Sequence, residues 1–94
     1  MARRGDIRTA TASTTVTLLL GERSNRRAII LYAPAAGSYT VSDGPAITNG
    51  QGVYVVAGGQ PVVLDAAIVG DLTQQSLFVV ASAAMSFGII EVVE

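Results

Sequence analysis

The sequence predicts an all-β domain: a small antiparallel β-sandwich or jelly-roll-like barrel of about seven strands behind an N-terminal arm. Three observations predict it. Short apolar or alternating segments recur roughly every 8–12 residues, with turn residues between them. No window carries an i, i+3, i+4, i+7 apolar stripe between its Gly or Pro breaks, so helix is disfavoured throughout. The chain is also 50% hydrophobic and only 14% charged, against roughly 25% charged in an average soluble protein. Its solvated positions are filled with Thr, Ser, Gly, Gln and Asn. That suits pleated, half-buried surfaces.

Residues 1–8 (MARRGDIR) lack useful periodicity and read as an arm, leaving 9–94 as one domain. In residues 9–20, Ala10, Ala12, Val16, Leu18 and Leu20 alternate with Thr and Ser. That is a half-buried strand, closed by a turn over residues 21–25. Residues 27–33 are apolar after Arg27 and end at Pro34, as a strand buried on both faces does. Residues 38–42 alternate with Tyr39 and Val41 inward, and Asp43-Gly44-Pro45 breaks the strand. Residues 53–56 and 61–65 are strands joined hairpin-fashion by Ala57-Gly58-Gly59-Gln60, with Pro61 at a tolerated first position. Residues 66–72 are either one helical turn or a crossover loop. Residues 76–82 and 86–93 supply the last two strands.

Charge divides the chain. All six basic residues are Arg and lie within residues 1–27, against Asp6 and Glu22, a net +4. The remainder holds five acids and no base, a net −5. This asymmetry gives the N-terminal segment an electrostatic role of its own. Arg3, Arg4 and Arg8 are candidate contacts to carboxylates on a partner, since each offers a forked set of donors, and Ile7 is a candidate apolar anchor. Glu91 stands inside an otherwise apolar strand, where an unpaired carboxylate is costly. An ion pair with Arg26 or Arg27, or with Arg23, within the chain or across an interface, would relieve that cost.

The composition excludes much chemistry. There is no Cys, His, Lys or Trp. The usual zinc, copper and haem ligands are therefore missing, as are the commonest general base and the Schiff-base nucleophile. We expect no enzyme, no cofactor and no resident metal; calcium is the one ion that the oxygen ligands would allow. Gly50-Gln51-Gly52 lacks the third Gly and the helix of a dinucleotide-binding fingerprint. The arginines have no aromatic residue among them to stack a base, which argues against nucleic acid. The longest apolar stretches, 28–36 and 77–90, are interrupted short of a membrane span. Nor does the N-terminus read as a signal peptide, because its Leu18-Leu19-Leu20 run is too short. A domain this small, without disulfide or metal, leans on a very apolar core or on oligomerisation. Sheet edges are commonly guarded by Lys, and here there is none. At least one edge or face is expected to be covered by another chain.

The order of segments resembles small proteins from the structural gene clusters of tailed bacteriophages. An N-terminal strand precedes an Arg-initiated apolar strand, here residues 25–30 (NRRAII). A short polar strand and a Gly-Pro loop follow, here residues 39–47 (YTVSDGPAI). Next come a Gly-strand-Gly-Gly-Pro-strand unit over 52–64, then Gly70-Asp71-Leu72, an aromatic strand, and a terminal strand ending IIEVVE. The resemblance covers roughly residues 12–94. It implies a capsid decoration, or cement, protein; some related proteins instead form the base of a head fibre. Such a protein is a virion component, made in the host cytoplasm, that binds the major capsid protein on the capsid exterior, often as a homotrimer, and braces neighbouring capsomers. A carbohydrate- or receptor-binding head module on the same fold, or a non-viral oligomeric β-domain, are the alternatives.

Overall fold

The computed structural model describes residues 4–47, 50 and 52–94. Among these residues eight strands form two antiparallel four-stranded sheets. They are β1 (Arg4–Ala12), β2 (Thr17–Leu20), β3 (Arg26–Leu31), β4 (Ser38–Ser42), β5 (Val53–Val56), β6 (Val62–Asp65), β7 (Leu77–Ala81) and β8 (Met85–Val93). Sheet order is β1-β8-β3-β6 in the first and β2-β7-β4-β5 in the second. Consecutive strands alternate between sheets except at the β4–β5 pair, and this is the strand order of a jelly roll. The single helical turn α1 (Ala66–Val69) and a 3-10 turn (Gly70–Gln74) link β6 to β7.

The core lies between the sheets. Ile29, Leu31, Leu64 and Ile89 from the first sheet meet Tyr39, Val41, Val55, Leu77 and Val79 from the second. Full burial of each large aliphatic chain contributes about 1.5–3 kcal/mol. Tyr39 and Phe87 stack across the interface, with centroids 3.8 Å apart and planes 12° from parallel. The Tyr39 hydroxyl donates to the Tyr32 carbonyl at 2.7 Å. Burial pushes this phenol's pKa up, because the ionised form cannot be solvated there.

Three sequence expectations change. The alternating segment 9–20 is two strands in different sheets. The chain turns at Ser13, whose Oγ accepts from the Thr15 amide (3.2 Å) and whose carbonyl accepts from Ala81 N (2.7 Å). The strand count is therefore eight. A register shift between Leu18 and Leu20 then turns Leu20 inward and leaves Leu18 exposed. The 57–60 link does not close a hairpin, because β5 and β6 belong to different sheets. Gly58, at φ +79°, and a Gly59 N to Val56 O bond of 3.0 Å make the tight turn that crosses between them.

The arm also changes. Residues 4–8 are the first half of β1, paired in unbroken register with β8 from Arg4↔Val93 to Ala12↔Met85. The radius of gyration, 12.4 Å, is that of a compact chain of this length, about 12 Å. These residues therefore belong to the body. Arg3 lies outside the described residues.

Candidate interaction surface

Two features meet on the first sheet. One is an ion cluster at the end where β1, β8 and β3 run side by side. In β8, the odd-numbered residues Phe87, Ile89, Glu91 and Val93 face inward. Register places Asp6 opposite Glu91 and Arg8 opposite Ile89, so the acids and bases of β1 share that inward face. Glu91 is 2% exposed. It accepts from Arg26 Nε at 2.8 Å and from Arg8 Nη2 at 2.7 Å, with Arg23 Nη1 at 3.7 Å. Arg23 also reaches Asp6 at 3.2 Å, and Arg4 lies 3.5 Å from the same carboxylate.

Arg26 is itself 2% exposed. Its remaining donors reach backbone carbonyls: Thr73 O at 3.1 Å, Gln75 O at 3.3 Å and Gly21 O at 2.7 Å. Thr73 Oγ1 returns a bond to the Arg26 carbonyl at 3.3 Å. The guanidinium thus ties β3, β8, the β2–β3 loop and the 3-10 turn together. Among the described residues no buried side-chain nitrogen or oxygen lacks a partner. Such full satisfaction is what makes a buried charge tolerable.

The second feature is the outward face of the same sheet. Register aligns Ile7↔Ile90, Ile90↔Ile30 and Ile30↔Val63. An unbroken apolar row therefore crosses all four strands. Its ends are open: Ile7 is 78% exposed and Val63 54%. Tyr32, 39% exposed, lies over Gly88 beside this row, where a Cβ on Gly88 would sit 3.7 Å from the ring. Outward faces of antiparallel sheets in free-standing domains are commonly polar, which makes this row the candidate interaction surface.

No family model and no curated protein matches the sequence. Among solved structures, a chain described under "Bacillus endospore appendages form a novel family of disulfide-linked pili" is similar. It is 13% identical with a TM-score of 0.53, over 98% of this chain and 86% of that one. The likeness is one of fold. The present chain has no cysteine, so no disulfide can join its copies.

The structure distributes the candidate residues as follows. Arg4 and Arg8 are strand residues whose charges turn toward Asp6 and Glu91. Ile7 opens the apolar row. Glu91 joins Arg26, whereas Arg27 sits apart, 3.2 Å from Glu94 and donating to Ser24 O. Arg8, Arg23 and Asp6 complete the cluster. The clue to Arg8 is its phase: Arg4, Asp6 and Arg8 continue the even-numbered alternation of Ala10 and Ala12. Elsewhere, a cleft of about 290 Å³ opens between β4, β5 and β6 on mostly apolar residues. Tyr32 and Tyr54 lie on opposite outer faces and form no shared stacking platform. Among the described residues no three acidic side chains gather as a cation site.

Proposed function

We propose that the chain is a structural virion protein that binds the outside of an assembled phage capsid and braces neighbouring capsomers. The observation that carries this reading is the apolar row Ile7–Ile90–Ile30–Val63 on the outward face of a sheet, half-buried in its middle and exposed at both ends. The segment order resembling phage structural proteins supplies the setting. The jelly-roll order is an architecture that capsid components use, and lectins use it too. A fold likeness to a protein that builds pili fits a role in assembly.

The mechanism is geometric. The row docks on apolar shell surface. Arg4, exposed at the rim of the same sheet, keeps guanidinium donors for shell carboxylates. Solvated pairs of this kind contribute only about 0–1 kcal/mol each. Strength therefore comes from several copies engaging one particle, which raises avidity about 10²–10⁴-fold.

The experiment is co-sedimentation of the purified chain with expanded, undecorated heads of the phage that encodes it. Saturable binding is expected. Val63→Lys, on the edge strand β6, should weaken it roughly tenfold or more by placing a charge in the row. Absence of binding, or equal binding by the variant, would refute the proposal.

A further inference from the structure

We infer that β1 is a self-pairing edge: two copies join antiparallel through β1 about a two-fold axis at Ile7, merging two four-stranded sheets into one of eight strands. The inference goes beyond the capsid reading and stands without it, because it concerns the isolated chain.

The four edge strands are not alike. β2 is four residues long with a register shift, β5 is four residues long, and β6 is four residues long directly after Pro61. Short, irregular or proline-flanked edges resist pairing. β1 is nine residues long, in unbroken register with β8, and contains neither Lys nor Pro. It is the longest edge strand among the described residues, and its inward charges, Arg4, Asp6 and Arg8, alternate in sign, so they bar most registers of pairing and favour a self-complementary one.

Its free hydrogen-bonding groups can be assigned. Tyr32 N donates to Gly88 O at 3.0 Å, so the Gly88, Ile90 and Val92 backbones point at β3. By strand alternation Phe87, Ile89 and Glu91 point at β1 and bond Ala10, Arg8 and Asp6. The backbone groups of Gly5, Ile7, Thr9 and Thr11 therefore point off the open edge.

Charge and the isoleucine contact together select the register. A two-fold perpendicular to the sheet sets one residue opposite itself. Centred on Asp6 it would oppose Asp6 to Asp6 and Arg4 to Arg8; centred on Arg8 it would oppose two guanidiniums. Like charges directly opposite are destabilising. Centred on Ile7, Asp6 faces the second copy's Arg8 twice over, and Ile7 faces Ile7. Asp6 and Arg8 side chains are 39% and 52% exposed, and Arg8 keeps donors beyond its bond to Glu91. A centre at Gly5 would also face Arg4 with Asp6 twice, but it sets Gly5 against Gly5 and forgoes the isoleucine contact; centres at Thr9 or Ala10 forgo both. The Ile7 register also joins the two apolar rows end to end, from Val63 of one copy to Val63 of the other.

The test uses the full chain, which has no native cysteine. Sedimentation equilibrium should give a two-chain mass. Ile7→Lys should raise the dissociation constant roughly tenfold or more by opposing two like charges at the axis. Its circular dichroism should stay that of the parent, since Ile7 is 78% exposed. Ile7→Cys should cross-link on oxidation, because directly opposed Cα atoms lie about 5.5 Å apart, within disulfide range. Thr11→Cys, on the same outward face, should not, because this register sets the two Thr11 positions roughly 27 Å apart. A monomer, a three-chain mass untouched by Ile7→Lys, or equal cross-linking at both cysteines would overturn the inference.

Discussion

Substituting Glu91 by Gln tests whether the buried ion cluster holds the first sheet together. Gln keeps the shape of Glu91, and its Oε1 can still accept from Arg26 Nε. What it removes is the charge. Arg26 is then a cation 2% exposed with only neutral acceptors, namely the carbonyls of Thr73, Gln75 and Gly21. The Gln amide also presents a donor toward Arg8 Nη2, where 2.7 Å now suits an acceptor. Breaking a buried pair costs about 3–5 kcal/mol. The three carbonyls place this case near the low end, about 3 kcal/mol. A chain of this length has a total stability of about 5–14 kcal/mol, so a fifth to over half of it is lost. With an m-value of about 1–1.5 kcal/mol/M, the urea midpoint should fall by roughly 2–3 M at unchanged m. Arg8→Gln is the control: its side chain is 52% exposed, and the cost should stay below about 1 kcal/mol. Losses of under about 1 kcal/mol for both variants would mean that the carbonyls alone hold Arg26, and the cluster argument would fail.

Two further perturbations probe the second sheet and the core. Because burial raises the Tyr39 pKa above its ordinary value near 10, the folded chain holds that proton while the unfolded chain releases it. Stability should therefore be steady below about pH 10 and fall above it by up to about 1.4 kcal/mol per pH unit. Tyr39→Phe should flatten that alkaline fall while costing about 1 kcal/mol at neutral pH for the bond to Tyr32 O; urea melts at stepped pH read both, and an unchanged fall would assign it elsewhere. Gly52→Ala adds a Cβ 2.9 Å from both Thr40 Cγ2 and the Val41 carbonyl, at φ +146°. It should cost about 1–3 kcal/mol, or roughly 5–15 °C in Tm. Gly44→Ala, with open space around it, should leave Tm within a few degrees; equal melting of the two variants would contradict the close approach.

Much of the fold is legible in the sequence because its signals are local. Strands β4 and β5 lie where alternation and turn residues put them, at Ser38–Ser42 and Val53–Val56. The ends of β3, β6, β7 and β8 shift by one or two residues. The first strand is hidden for a physical reason. Its inward face should be apolar, yet at Arg4, Asp6 and Arg8 it meets a buried carboxylate instead of the core. Charge at inward positions looks like a solvated tail when the partner, Glu91, lies far along the chain. Glu91 itself is conspicuous, as one acid in an apolar strand. Which arginine it meets depends on three-strand register, and that is set by tertiary pairing. The split of residues 9–20 between sheets is hidden because Val16, Leu18 and Leu20 resume the phase of Ala10 and Ala12 beyond the corner, and a lone Thr14 in that phase is the one interruption.

The concentration of arginine in the first 27 residues therefore has a different meaning from that of a free basic arm. Arg4, Arg8, Arg23, Arg26 and Arg27 each approach a carboxylate of the same chain. Their charge is largely spent on fixing β1 to β8 and on closing the β2–β3 end of the sandwich. Holding β1 in register has a second effect. It presents a nine-residue edge with Ile7 outward and Asp6 and Arg8 in alternating sign on the opposite side. The same cluster that stabilises the fold thus prepares the edge for a second copy. A pair joined there would display the apolar row twice on one continuous face. For a protein whose individual polar contacts are worth about 0–1 kcal/mol, such doubling is the simplest physical route to firm attachment on a repeating surface.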